Sequence, residues 1–313
     1  MERMITLVID SSYLCYQARF TMGAMSYQDT ATGVIFGFLS RILHLGMKFQ
    51  SNDCVFCWDS RSSYRKKKYP WYKEHRHTQE RTPEEIEDIK LMHQQMYKLR
   101  MEILPTIGFN NNLQQKGIES DDLIAETVKG KGEFLIVSGD SDLLQLLNGN
   151  VSMYTPTKKV FWTKQKFIEE YSISPREWVL VKAVGGCRSD GVPPCAPGIG
   201  EKTAVKYIAG TLNPTSKAYK KIVETRLTAI ARIEAVALPH PRTHPVTLKR
   251  NKLRIEALRH VAERYGMNSF AKDSNWSQLI SFGKKTYFQE LSSRKTFIRK
   301  PVKKHFLHFK GVE

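Results

Sequence analysis

Asp10, Asp59, Glu119, Asp121, Asp122, Asp140 and Asp142 stand at or just beyond the ends of segments that read as β-strands. In an open α/β sheet those strand ends line the ligand crevice, so acids far apart in sequence converge there. Crowded carboxylates repel one another unless cations neutralise them. Hard oxygen donors in such numbers suit Mg²⁺ or Mn²⁺ better than zinc. Two such ions, about 4 Å apart, clamp the attacking and leaving oxygens of a phosphodiester and lower the pKa of bound water. Taken singly, each acid has a plainer role: Asp10 can cap a helix starting at Ser11, and Asp140 and Asp142 a helix after Gly139. Recurrence after three strands, with the run Glu119-Ser120-Asp121-Asp122, favours metal binding.

The charge balance supplies the matching ligand. The 313 residues hold 49 Lys+Arg against 31 Asp+Glu, a formal net charge of +18, which attracts polyanions, nucleic acid first and anionic membrane second. Arg61–Arg81 is densely basic with interleaved aromatics, including Arg65, Tyr72, Lys73 and Arg76. Cations there can neutralise phosphate and rings can stack on unpaired bases; a solvated basic loop is the plain alternative. Gly198-Ile199-Gly200 opens a helix over 201–208. Its glycines let backbone N–H groups approach a phosphate, with Lys202 and Lys206 adding charge; otherwise it is a simple turn between helices. Arg19 is a phosphate contact or an ordinary surface arginine.

The elements that must position these groups alternate through the first half. Strands are predicted at Ile5–Ile9, Cys54–Trp58 and Phe134–Val137, and helices over Thr32–Phe49, Ser120–Val128 and Ser141–Leu147. Thr82-Pro83-Glu84-Glu85 is a helix start, and that helix is expected to run to about Leu104, before Pro105. The alternation argues for a mostly parallel sheet covered by helices. From Ser174-Pro175-Arg176-Glu177 onward helices dominate, interrupted by an extended Pro239–Pro245.

Cys54 and Cys57 form a C-x-x-C inside a predicted buried strand, whose alternation sends the thiols to opposite faces. They read as core, with Cys15, Cys187 and Cys195 also free. No apolar run approaches a membrane span, and a cytoplasmic location is expected.

Val8-Ile9-Asp10-Ser11, Phe56-Cys57-Trp58-Asp59, Gly117 to Ala125 (GIESDDLIA), Ile136 to Leu146 (IVSGDSDLLQL) and Gly198 to Ala204 (GIGEKTA) occur in this order. Together with Arg65–Arg76, they resemble the 5′→3′ exonuclease and flap endonuclease family, which includes phage exonucleases and the 5′-nuclease domain of bacterial DNA polymerase I. The resemblance covers roughly residues 4–285. It implies a PIN-like α/β core over 1–170 with a helical arch at about 61–105. A helical DNA-binding region with a helix–two-turn–helix follows over 171–285, and a basic tail over 286–313. It also implies a first metal held by Asp10, Asp59, Glu119 and Asp121, and a second served by Asp121, Asp140, Asp142 and Asp190, with Asp122 an outer-shell or additional ligand. Lys73 and Arg76 match the arch's catalytic cations, and the arch is expected to be mobile without DNA. Gly198, Gly200, Lys202, Thr203 and Lys206 would grip duplex DNA, with K⁺ as an accessory ion. The implied reaction is Mg²⁺-dependent hydrolysis (Mn²⁺ substituting) of DNA at 5′ flaps, nicks or free 5′ ends, or of RNA annealed to DNA. A monomer acting beside replication proteins, phage-encoded or stand-alone, fits the size.

One motif departs from the family. Where Gly-Asp-x-x-Asp-Asn is expected, the chain has Gly186-Cys187-Arg188-Ser189-Asp190-Gly191. The missing carboxylate weakens the expected second site, so activity is expected to be lower, Mn²⁺-favouring or altered in exo/endo balance. Two rivals follow: a structure-specific DNA-binding protein with weakened or lost catalysis, and a PIN-like ribonuclease, against which the arch and helix–two-turn–helix argue.

Overall fold

A computed structural model describes residues 5–78, 80–272 and 274–282; the expected basic tail lies outside them. β1 (Ile5–Asp10) runs into α1 (Ser11–Met22), and a hairpin, β2 (Ser26–Tyr27) and β3 (Thr30–Ala31), leads to α2 (Gly33–Phe49) and β4 (Cys54–Cys57). The arch segment holds α3 (Tyr64–Lys68), α4 (His75–Thr78) and α5 (Pro83–Lys98). A π-turn at Leu99–Ile103 then leads into α6 (Leu104–Ile107). β5 (Asn112–Leu113), α7 (Ser120–Thr127), β6 (Glu133–Val137), a 3₁₀ turn (Ser141–Leu146), β7 (Val151–Thr155) and β8 (Val160–Trp162) complete the sheet. The rest is helical: α8 (Lys164–Tyr171), α9 (Trp178–Gly185), α10 (Glu201–Ile208), α11 (Lys217–Glu224), α12 (Arg226–Val236), α13 (Ile255–Arg264), α14 (Asn268–Lys272) and α15 (Ser274–Ser281).

The sheet order is β5-β4-β1-β6-β7-β8, parallel except for the β7–β8 pair. The chain leaves β1 toward β4 on one side and returns to β6 on the other, so the strand order reverses at β1. This topological switch point is where α/β sheets bind ligands. Both faces are covered, as parallel strands require. Leu7, Ile9, Cys54, Phe56, Leu135 and Val137 face α1, α2 and α13. Val8, Val55, Cys57, Phe134 and Ile136 face α7, α8 and α9. The two thiols of the C-x-x-C therefore enter opposite cores, as alternation predicts. The second cluster runs without a break from Val8 through Phe167 and Trp178 to Ala204 and Ile222.

The Thr82 capping box forms as predicted, with Pro83 in the first turn. The helix does not stop before Pro105, however. The π-turn at 99–103 re-registers the backbone so that Pro105 falls in the first turn of α6, where a missing N–H costs little. The expected helix at 141–147 is a 3₁₀ turn, and β7 and β8 were not anticipated. Among the described residues no helix is long and apolar enough to cross a membrane.

Candidate metal and nucleic-acid site

The carboxyl ends of β1, β4 and β6 bring the acids together. Asp10 ends β1, and its Oδ1 accepts from Tyr13 N at 3.1 Å, so it caps α1 while its Oδ2 accepts from Ser138 Oγ at 2.8 Å. Capping and site membership thus coincide. Asp140 does the same, taking Asp142 N at 2.8 Å. Asp59, exposed beyond β4, accepts from Ser120 N at 2.8 Å, which ties it to the start of α7. Glu119 precedes α7 and Asp121 lies in its first turn.

Electrostatics confirm the crowding. Burial, then Asp59 and Asp140, push the Asp10 carboxyl up to about 7. Burial and the Asp142 and Asp190 charges push Asp140 up to about 6. Asp121 is raised well above its ordinary value by loss of water and by Asp140, Asp10 and Asp59. Lys73 and Lys182 only partly offset this at Asp121 and Asp140. At the far side, protein cations supply countercharge. Lys73 Nζ lies 2.7 Å from Glu119 Oε2 and 3.4 Å from Asp190 Oδ1, and Arg76 Nη2 lies 3.2 Å from Asp190 Oδ1. Burial opposes ionisation of Glu119, but Lys73, Arg65 and Tyr72 outweigh it and hold its pKa below the ordinary value. Lys73 adopts a left-handed φ of 55°, held by its N–H on Asp190 O at 2.8 Å.

Asp142, Cys187 and Asp190 offer ligand atoms within 4.8 Å of one another. All three are buried, and Lys182 Nζ sits 2.9 Å from Asp142 Oδ1. Burial and Asp142 push the Cys187 thiol up to about 12.

A family model described as the 5′-3′ exonuclease N-terminal resolvase-like domain matches residues 5–172, more than half of the chain. The chain belongs to the 5′-3′ exonuclease family. The 5′-3′ exonuclease of Bacillus subtilis (strain 168) is 31% identical over 215 residues, spanning 64% of this chain and 69% of that protein. DNA polymerase I of Mycobacterium tuberculosis (strain H37Rv) is 30% identical over 216 residues, 65% of this chain but 22% of the polymerase. The chain therefore spans about a fifth of the length of the polymerases it matches. A structure of the T5 5′-exonuclease with divalent zinc ions bound superposes with a TM-score of 0.64 at 18% identity, covering 88% of this chain and 99% of that one. The catalytic core of Rad2 in complex with DNA substrate gives 0.58 at 16%, covering 89% and 93%. Both likenesses are of fold, the PIN-like α/β architecture.

In this family member three expected contacts take other roles. Arg65, read as a DNA contact, is 3% exposed and donates to both Asp122 oxygens at 2.5 and 2.7 Å and to Ala237 O. Asp122 is correspondingly no direct metal ligand. Its oxygens are taken by Arg65 and by His240 N at 2.7 Å, and it braces the Glu119 backbone. Tyr72, read as a base-stacking ring, is buried, and its hydroxyl donates to Glu119 Oε2 at 2.9 Å and Asp190 Oδ2 at 3.0 Å. The foot of the arch is anchored rather than mobile, because Tyr69, Trp71 and Tyr72 pack with Ala183, Cys187, Val192 and Val236. Aromatic residues beside cations signal packing as well as stacking, and sequence alone does not separate the two. Arg19 is paired with Asp88 at 2.6 Å.

The start of α10, expected to belong to a helix–two-turn–helix, is linked to the carboxylates through Lys182, whose Nζ lies 3.1 Å from Glu201 Oε2 and 2.9 Å from Asp142 Oδ1. Gly198 has φ +83° and Gly200 caps α10, and a Cβ at either would meet open space. Lys202 and Lys206 are exposed, with Thr203 half-buried. Two residues escaped the sequence reading. Lys182 is the lone cation in the apolar run Trp178–Gly185, which was a usable signal. Tyr16 is 41% exposed on α1; the Asp59 charge reaches it, opposed by Arg76, Arg81 and Arg19.

Proposed function

We propose that this chain is a metal-dependent 5′→3′ exonuclease and structure-specific 5′ flap endonuclease acting on DNA in replication or repair. The observation that carries this reading is the convergence of Asp10, Asp59, Glu119, Asp121, Asp140, Asp142 and Asp190 beside Lys73 and Arg76. The carboxylate oxygens of Asp10, Asp121 and Asp140, which form no ion pair among the described residues, suit hard divalent ions. Asp10, Asp59, Glu119 and Asp121 would hold one, and Asp121, Asp140, Asp142 and Asp190 a second. Bound Mg²⁺, or Mn²⁺ in its place, would supply a hydroxide nucleophile and polarise the phosphoryl oxygens.

The protein's own groups orient and neutralise. Ser138 and the Tyr13 N–H fix the Asp10 carboxylate, and Tyr72 fixes Glu119 and Asp190. Lys73 and Arg76, resting on Glu119 and Asp190, are the cations placed to turn to a phosphate entering over the acids. The N-terminus of α10 and Lys202, Thr203 and Lys206 would grip duplex, with K⁺ as an accessory, over a binding region 171–285. Exposed Tyr16 suits stacking on an unpaired base. Substrates would be flaps, nicks, free 5′ ends and RNA:DNA hybrid. We further propose a monomer working with replication proteins in the cytoplasm.

The test is cleavage of a 5′-labelled flap duplex with Mg²⁺, with Mn²⁺ and with EDTA. Metal-dependent cutting near the junction is expected. Tight binding without cutting under either ion would favour a second reading, a structure-specific DNA-binding protein. Cys187 and Lys182 beside Asp142 are its support.

A further inference from the structure

Residues 237–254 have no regular structure, yet they are fastened along the outer edge of the sheet. The strap starts at the site: His240 N donates to Asp122 Oδ1 at 2.7 Å. Next, His244 exchanges hydrogen bonds with the Gln115 side chain at 2.8 and 2.9 Å, while the neighbouring Gln114 donates to Asp59 O at 2.6 Å. Farther on, the Asn111 side chain takes both backbone polar groups of Lys249, each at 2.7 Å. Asn110 binds Arg250 O at 2.7 Å and the Asn251 side chain at 2.8 Å. Lys252 N and Arg254 N reach Gly108 O and Ile107 O at 2.8 and 3.0 Å.

These bonds use backbone, asparagine, glutamine and Asp122 groups, and they suffice to fasten the strap to the residues on either side of the edge strand β5. The charges are not needed for that. Residues 237–254 contain Arg242, Lys249, Arg250, Lys252 and Arg254 and no Asp or Glu. All five are exposed, and among the described residues none pairs with a carboxylate. Arg242 lies over the Tyr64 ring and Arg254 reaches Thr106 O, which leaves Lys249, Arg250 and Lys252 as a fixed, unneutralised row.

We propose that this strap is a second nucleic-acid site, a phosphate track that holds the backbone of a duplex leaving the active site over the β5 edge. The proposal rests on the nucleic-acid reading above. Two features select duplex over single strand. The segment contains no Phe, Trp or Tyr on which unpaired bases could stack. Its backbone is ordered before binding, which suits a stiff ligand and spares the ordering cost.

The test compares wild type with the triple variant Lys249→Gln, Arg250→Gln, Lys252→Gln, by fluorescence anisotropy in EDTA at several salt concentrations. The probes are labelled blunt duplex, 5′ flap and single strand. Each lost phosphate contact removes about 0.9 from the slope of log affinity against log salt. The expected result is a slope smaller by about 2 to 3 on duplex and flap, with affinity down about tenfold at moderate salt. Unchanged duplex affinity and slope would overturn the proposal, and so would a loss confined to single strand. If the variant does not fold, lysine-modification mass spectrometry on wild type decides: Lys249 and Lys252 must be protected by duplex, and full reactivity overturns the track. A strap-dependent duplex affinity in a protein that cuts no flap with any metal would leave the track standing and remove the nuclease reading instead.

Discussion

Cys187 Sγ lies 3.3 Å from Asp142 Oδ2, at the position where the family resemblance leads one to expect an aspartate. Ser189 Oγ, 3.0 Å away, and Lys182, 2.9 Å from Asp142, complete the surroundings. A thiol raised to about 12 brings no negative charge near neutral pH, and Lys182 removes one from Asp142. The second ion should therefore be held weakly. Cys187→Asp is expected to lower the Mg²⁺ concentration for half-maximal flap cleavage by about tenfold, a usual scale for changes around a metal site, with Cys187→Ser leaving it unchanged. Equal Mg²⁺ titrations for wild type and Cys187→Asp would show that the missing carboxylate does not limit metal binding.

In the proposed two-ion arrangement Asp121 serves both ions, and burial and the charges of Asp140, Asp10 and Asp59 act on it together. Asp121→Ala should abolish cleavage while keeping flap binding, since the protein's basic surface supplies most of the attraction to the polyanion. Turnover at the wild-type level would sink the metal assignment.

The legible parts of the site were those tied to the backbone pattern. Asp10, Asp59 and Asp140 follow hydrophobic strand runs, and a strand that ends in an acid places it at the sheet's carboxyl edge whatever the side chains do later. The Thr82 capping box and the opposite-facing Cys54 and Cys57 were legible for the same reason. Side-chain partnerships across the fold were not. Arg65 and Asp122 are 57 positions apart, and each belongs to a motif that looks functional. Nothing local indicates that they neutralise each other. β7 and β8 are harder to read because Val151–Thr155 and Val160–Trp162 are short, although Asn148-Gly149-Asn150 and Pro156 mark the turns beside them.

Lys73 pairs with Glu119 among the acids and has a left-handed backbone. Lys73→Ala should slow cleavage at saturating DNA by about 10² to 10³, the scale of losing one group that stabilises transition-state charge, while affinity changes only a fewfold. Single-turnover kinetics separate the two. A variant altered only in affinity would place Lys73 in substrate binding rather than chemistry.

Arg65 and Asp122 form a buried ion pair, with side chains 3% and 1% exposed. Removing one partner of such a pair strands the other's charge and costs about 3–5 kcal/mol. Arg65→Ala and Asp122→Ala are each expected to destabilise the fold on that scale in denaturant unfolding. The metal concentration for half-maximal activity of the folded fraction should stay within about twofold for Asp122→Ala, well short of the 10–100-fold typical of losing a group that orients a ligand side chain, because Asp122 meets Glu119 only at its backbone N–H. A large shift in metal requirement without loss of stability would return Asp122 to the ligand set.

Asp10 and Asp140 have folded-state pKa values of about 7 and about 6 against an ordinary 3.8, and Asp121 is raised as well. A carboxyl raised on folding binds its proton more tightly in the folded chain than in the unfolded one. Each such group therefore favours folding below the ordinary value, and that contribution is lost as pH climbs from about 4 to about 7. Asp190 is raised too, chiefly by burial, and Glu119, held low by Lys73, works the other way as one group against four. The melting temperature of the metal-free protein should accordingly fall between pH 5 and pH 8. Mg²⁺ binds the ionised carboxylates of the folded state, so it should restore stability, and by more at pH 8 than at pH 5. Differential scanning calorimetry in EDTA and in Mg²⁺ at both pH values gives the comparison. A metal increment independent of pH would mean that the crowded acids are not the ions' ligands.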